Sequence, residues 1–383
     1  MAMKHVLAVD IGTGTQDIFL FREGLNLENG LKLIMPSPTM MVREKIQEAT
    51  RLGEDILLTG VTMGGGPSHW AAATQLEQGH RIFATPEAAQ TFNDDLEWVE
   101  HEMGVQLISE DEALSLENVL RITLQDFDLE AIRQAFSAFG VKLDLAGVGV
   151  AVFDHGAAPP NTSDRKFRFD YLERRILEEN RLSAFAYPAE QVPKTLTRMR
   201  AVSTSAAGLD CPLVLMDTAP AAVLGASLDP IAAQQARALI INIGNAHTLA
   251  FRLGPSGIEG VFEHHTGLLN HARLDTLLES FAAGTLKSED VFNDHGHGAL
   301  TIIPEPLPLE GENSNVIVTG PRRSMMLASR LKHYHAAPYG DMMLTGCFGI
   351  LAAMADIIPS LQGAIHAALD GTGSENTPWD VDD

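Results

Sequence analysis

The chain has 383 residues, 45% hydrophobic and 20% charged, a globular composition too long for one core, so two domains or lobes are expected. Its 27 basic against 50 acidic side chains leave a formal charge of −23, which argues against a nucleic-acid binder or an anionic-membrane binder. Cys211 and Cys347 lie in apolar segments and suit a reducing compartment, no leader precedes the first strand, and the longest apolar run, 342–355, is shorter than the roughly 20 residues of a membrane span, so a soluble cytoplasmic protein is expected.

In chain order, Val6–Val9, Asp17–Phe21 and Leu31–Met35 read as a three-stranded meander with turns at Gly12–Gly14 and Asn29-Gly30. Pro36 and Pro38 end it, Thr39–Leu52 has helical spacing with Gly53 as its C-cap, and Asp55–Val61 is a strand. Residues 87–139 are acidic and helix-rich, with helices predicted over Glu110–Leu116 and Asp128–Phe139. Leu145–Phe153 follows as an apolar strand and Leu172–Glu179 as a charged helix. Leu239–Ile243, Thr248–Arg252 and Ile258–Glu263 then repeat the three strands, Leu268–Ala283 supplies a helix and Asn315–Thr319 a further strand. Pro304–Ser314 reads as a surface loop, and the tail from Gly371 as frayed. This β-β-β-α-β unit, met twice, predicts an internal duplication. The expected boundaries are a first-lobe core over 1–62, its completion with an α+β insertion over 63–210, a second-lobe core over 211–370, and a tail over 371–383.

The duplicated turns carry the chemistry. Asp10 and Asn242 each end an apolar run, Gly12 and Gly244 follow two places later, and Thr15 and Thr248 carry hydroxyls into the next strand. A glycine-bearing turn lets the backbone approach an anion and aim its N–H groups at it. Two such turns facing each other would clamp a polyphosphate.

With the small-residue helices 217–226 and 341–353 and the strand VIVTGP over 316–321, five elements fall in an order that resembles the actin, sugar kinase and Hsp70 ATPase superfamily. The chain is also similar to a family labelled "putative pyruvate formate-lyase activating enzyme". That label implies an iron-sulfur cluster held by three cysteines on a short loop, which two distant cysteines do not supply. The superfamily resemblance implies an α/β, two-lobed, duplicated ribonuclease H-like fold with ATP and Mg²⁺ between the lobes. Asp10 would hold the cation with Asn242, and Asp217 would be a second acid near the metal or the attacking water. Gly12, Thr13, Gly14 and Thr15 would wrap the phosphates, Gly244, Asn245 and Thr248 would close over them, and Gly320 and Arg322 would meet the adenosine or a phosphate. Gly346 and Gly349 would let two connecting helices cross closely. Asn242 departs from the acid usual at its position and cannot take a proton. For Asp217, a plain helix N-cap is the competing reading.

Two glycine-rich segments have no assigned place in that superfamily. Gly64, Gly65, Gly66 and Ser68 precede a helix and would bind a further phosphate or a second substrate, and Asp154 beside His155 forms a candidate base and orienting partner. The 14 histidines include Glu263–Gly267, Asn293–Gly298 and Lys332–Ala336, and His-x-His on a strand puts both rings on one face. Surface or hydrogen-bonded histidines are the plainer reading. The sequence thus points to an ATP-dependent phosphotransferase or ATPase, with a non-catalytic nucleotide sensor or assembly protein and a histidine-based metal-dependent hydrolase as rivals. An unknown substrate is the expected partner, and neither nucleic acid nor membrane is.

Overall fold

The computed structural model describes residues 5–159, 162–309, 314–372 and 376–380. Strands β1 (His5–Ile11), β2 (Thr15–Arg22) and β3 (Leu31–Pro36) form the antiparallel meander, and α1 (Pro38–Leu52) ends at Gly53, whose φ of 73° is a left-handed C-cap. An inserted unit follows: β4 (Ile56–Gly60), α2 (Pro67–Glu77), β5 (Ile82–Ala84), β6 (Gln106–Leu107) and β7 (Leu120–Leu124), with the four strands in one parallel sheet of order β6-β5-β4-β7.

The chain returns to the first sheet with β8 (Leu145–Val152), crosses as α3 (Asp164–Glu178), adds β9 (Ala186–Pro188) and β10 (Leu213–Asp217), and leaves through α4 (Thr218–Ser227). The second sheet is built from β11 (Ala238–Ile243), β12 (His247–Gly254), β13 (Gly257–His265), then α5 (His271–Ala282), β14 (Gly298–Thr301), β15 (Val316–Thr319) and β16 (Tyr334–His335). Helix α6 (Thr345–Ile357) packs back on the first sheet.

The two sheet orders are β3-β2-β1-β8-β10-β9 and β14-β13-β12-β11-β15-β16. In each, a three-stranded antiparallel meander is extended on the side of its first strand by two parallel strands. That shared order is a duplicated ribonuclease H-like fold, the two-lobed architecture of the actin, sugar kinase and Hsp70 type. The duplication corrects one assignment. The strand at 56–60 belongs to the inserted sheet, and Leu145–Val152 takes the parallel place beside β1. A strand's own pattern does not name its neighbour, so the nearer candidate was taken for the right one. Helix α3 also starts eight residues before the predicted Leu172.

Alternation in β1 explains how one strand serves two cores. Leu7, Val9 and Ile11 join a cluster with Ile240, Leu249 and Phe251 of the other sheet, while Val6 and Ala8 face Phe348, Ile350 and Met354 of α6. Helices α4 and α6 cross between the lobes at glycine. A Cβ on Gly225 would overlap the Thr345 carbonyl, and one on Gly349 would overlap the Ala221 carbonyl, so only glycine permits this approach. The predicted crossing residue Gly346 has another duty: its Cα faces the Asp10 carboxylate. Part of the predicted loop (310–313) and of the tail (373–375 and 381–383) lies outside the described residues.

Candidate functional site

Parallel strands in an α/β sheet deliver their carboxyl ends to one edge, where ligands bind. Here β1, β8, β11 and β15 end at a single interlobe cleft of about 460 Å³, lined by Asp10, Gly12–Thr15, Phe153–His155, Asn242, Gly244–His247 and Thr319–Pro321, with Gly64–Gly66 of the inserted unit opposite. The two turns are built alike. The Gly12 amide donates to the Thr15 carbonyl and the Gly244 amide to the His247 carbonyl, both at 2.9 Å. Among the described residues, the amides of Thr13, Gly14, Asn245 and Ala246 donate to no protein acceptor. The turns also meet, since a Cβ on Gly14 would lie 2.7 Å from Asn245 Nδ2.

This equivalence corrects one residue. Thr15 corresponds to His247, so Thr248 sits one place further along β12, where alternation turns it away from the cleft. Its buried hydroxyl is 2.9 Å from that of Thr266. The cleft position is held by an imidazole instead.

At the floor, Asp10 accepts from the Thr218 hydroxyl at the start of α4. Burial pushes its carboxyl up to about 7, an effect opposed by Thr218 and reinforced by Asp217. Asp17, cross-strand from Asp10, is buried with Oδ1 unpartnered. Burial and then the Asp10 charge push it up to about 8. In the sequence, Asp17 is simply the first residue of the strand Asp17–Phe21, with no motif to mark it.

Asp217 is otherwise engaged. It is fully buried, accepts from both terminal nitrogens of Arg168 (Nη2 at 3.0 Å) and caps α4 by accepting from the Ala219 amide. Its carboxylate is therefore an ion-pair and capping group in this conformation and does not line the cleft. Gly320 does line it, in the left-handed region at φ 99°, where a Cβ would also crowd Asn242 Oδ1. Arg322 is exposed and absent from the lining.

Of the second group, Gly64–Gly66 and His155 line the cleft, but Ser68 is buried and donates to the Gly65 carbonyl. Asp154 accepts from the amides of Gly156 and Met199. Burial, opposed by those bonds, leaves it at about 6, and the bonds occupy both carboxylate oxygens, so Asp154 does not orient His155. Arg198 also lines this wall, paired with Asp126 at 2.7 Å.

Behind the cleft lies a network with no local signature in the sequence. Fully buried Arg168 of α3 joins Asp217 of the first lobe to Glu263 of the second at 3.3 Å, donates to the Asp154 carbonyl at 3.1 Å, and stands 4.4 Å from the centre of the Phe153 ring. Phe153 stacks on His247 at 4.2 Å, and His155, His247, His265 and His297 gather beside it with ring centres 4.8 to 5.8 Å apart. Burial and then the neighbouring imidazoles hold His247 well below the ordinary imidazole range, and burial, His265 and Arg168 push His297 down to about 2. These rings are neutral. Of the three predicted histidine motifs, two contribute one residue each, and His333 pairs with His335 of β16.

A profile match over 63–325, well over half of the chain, to the family described as "Putative pyruvate format-lyase activating enzyme (DUF1786)" takes in the cleft residues from Gly64 to Pro321 and leaves out Asp10 and Gly12–Thr15. No curated protein matches the sequence. Among solved structures, the chain is similar to the ethanolamine utilization protein EutJ from Carboxydothermus hydrogenoformans at 12% identity and TM-score 0.29, with 91% of this chain and 89% of that one covered. It is similar to a chain of a PilM-PilN type IV pilus biogenesis complex at 10% identity and TM-score 0.35, covering 96% and 98%. It is similar to the ROK hexokinase from Thermus thermophilus at 13% identity and TM-score 0.23, covering 96% and 87%. At these scores the sheet topology, and not the superposition, carries the fold assignment.

Proposed function

The chain belongs to that DUF1786 family, and from the geometry of its cleft we propose that it binds ATP with magnesium between the lobes and acts as an ATP-dependent phosphotransferase or ATPase. The observation that carries this reading is the meeting of two equivalent glycine turns, Gly14 against Asn245, with unpartnered amides on both. Unpartnered backbone donors on both turns of one cleft suit a polyphosphate, and they offset a net charge that disfavours anions.

The residues present fit the cation. Asp10, Asp17 and Asn242 offer the hard oxygen ligands magnesium prefers, and an unpartnered buried carboxylate oxygen on Asp17 is what such an ion would satisfy. Bound there, magnesium would neutralise charge on the terminal phosphates. The amides of Thr13, Gly14, Asn245 and Ala246 would orient those phosphates, and Gly320 would let the adenosine approach the backbone. Lobe closure over the α4 and α6 crossing would exclude water. An acceptor substrate would enter from the Gly64–Gly66 side. The family's descriptive label names a radical activation that Cys211 and Cys347, remote in sequence and with Cys347 sealed in α6, do not support.

Asn242 supports a second reading, nucleotide binding without turnover, because it cannot accept a proton. Titration calorimetry with ATP, with and without magnesium, tests the binding, and release of labelled phosphate separates the two readings. Asp10→Asn should abolish the magnesium-dependent part of the affinity, and an unchanged affinity would contradict the assignment.

A further inference from the structure

We propose that His155, His247 and His297 form a binding site for a zinc-type transition-metal ion, held between the two lobes at the edge of the cleft. The three side chains come from separate places: His155 from the loop after β8 in the first lobe, His247 from the first position of β12, and His297 from the residue before β14 in the second. Each offers a nitrogen, and the three nitrogens lie within 4.8 Å of one another. His247 Nε2 and His297 Nε2 are buried with no hydrogen-bond partner. Buried polar atoms are rarely left unpaired, and two of them within one cluster of three imidazoles call for an occupant with empty acceptor orbitals rather than for more protein.

The surroundings fit a metal as well. Glu263 Oε1 stands 3.2 Å from His297 Nδ1, the placement of a carboxylate that orients a metal-bound histidine from behind. Phe153 lies flat on His247, with 6° between the planes, and fixes that ring. Imidazoles select zinc, copper, iron or nickel, whereas magnesium takes oxygen, so this site is chemically separate from the acids at Asp10 and Asp17.

Zinc–nitrogen bonds of about 2.0–2.1 Å put tetrahedral ligands roughly 3.4 Å apart, so the cluster must draw in by about 1 Å on binding. His155 and His247 also line the cleft, which turns the fourth, open coordination position toward it. None of this depends on nucleotide binding.

The test uses the full chain, stripped with a chelator and titrated with zinc chloride alone, with cobalt(II) as the optical probe. The expected result is saturation at one zinc per chain, the visible absorption of tetrahedral cobalt, and a zinc-induced rise in the unfolding midpoint. His155 is exposed, so His155→Gln keeps the metal-free fold while weakening zinc at least tenfold and removing the rise in midpoint. His333→Gln, in the other histidine pair, leaves both unchanged. Absence of saturable zinc binding, an unaltered affinity in His155→Gln, or a loss confined to His333→Gln would overturn the proposal.

Discussion

Replacing Arg168 by methionine keeps the volume and removes the charge that joins the lobes. The guanidinium is fully buried and contacts two acids, Asp217 through both terminal nitrogens and Glu263 at 3.3 Å, as well as the Asp154 carbonyl. Burial already raises both carboxyls, and Arg168 is what opposes it. Deleting one partner of such a pair leaves uncompensated buried charge and costs about 3–5 kcal/mol. The cost has a pH signature. In the variant, both carboxyls move further above their unfolded values, so the folded chain holds protons that the unfolded chain releases, and stability falls as pH rises through the raised pKa values. Urea unfolding at pH 5 and pH 8 should therefore show a deficit that is larger at pH 8. A loss under about 1 kcal/mol, or one identical at both pH values, would refute the reasoning.

Three further outcomes follow from the same geometry. Asp17, pushed up to about 8, contributes stability that is complete below its unfolded value near 4 and lost as pH rises through 8; at about 1.4 kcal/mol per pH unit, Asp17→Asn should match the parent in acid and exceed it by several kcal/mol at pH 8 without divalent cation, and parallel pH profiles would contradict this. Gly349→Ala places a Cβ on the Ala221 carbonyl and should cost about 3 kcal/mol in chemical unfolding, since neither helix backbone can yield; a neutral effect would show that α4 and α6 part easily. Gly14→Ala meets only the exposed Asn245 side chain, so its thermal midpoint should hold while ATP affinity falls about tenfold, or about 1.4 kcal/mol, in calorimetry; equal affinity would place the phosphates elsewhere.

The legible parts of this chain are those written locally. The apolar runs over Val6–Val9 and Leu239–Ile243, with glycine two places past Asp10 and Asn242, identified both hairpins, and Gly53 marked the end of α1. Registration one residue deeper was not readable: Thr248 looked equivalent to Thr15 because both carry hydroxyls, yet the hydrogen bonds of Gly12 and Gly244 pair Thr15 with His247. Long-range partnership was also hidden. Nothing near Arg168 announces that it meets Asp217 and Glu263, and His155, His247 and His297 share no spacing rule, because the fold and not the sequence brings them together. Asp217, read as an acid for the metal, turned out to cap α4 and pair with Arg168, a role that the N-cap reading had captured in part.

The central claim is that one triphosphate is held by both glycine turns at once. A crystal structure with magnesium and a non-hydrolysable ATP analogue tests it directly. The phosphates should lie between Gly12–Thr15 and Gly244–His247, with the cation on the Asp10 side and the base near Gly320. A nucleotide bound elsewhere, or touching only one of the two turns, would contradict the claim.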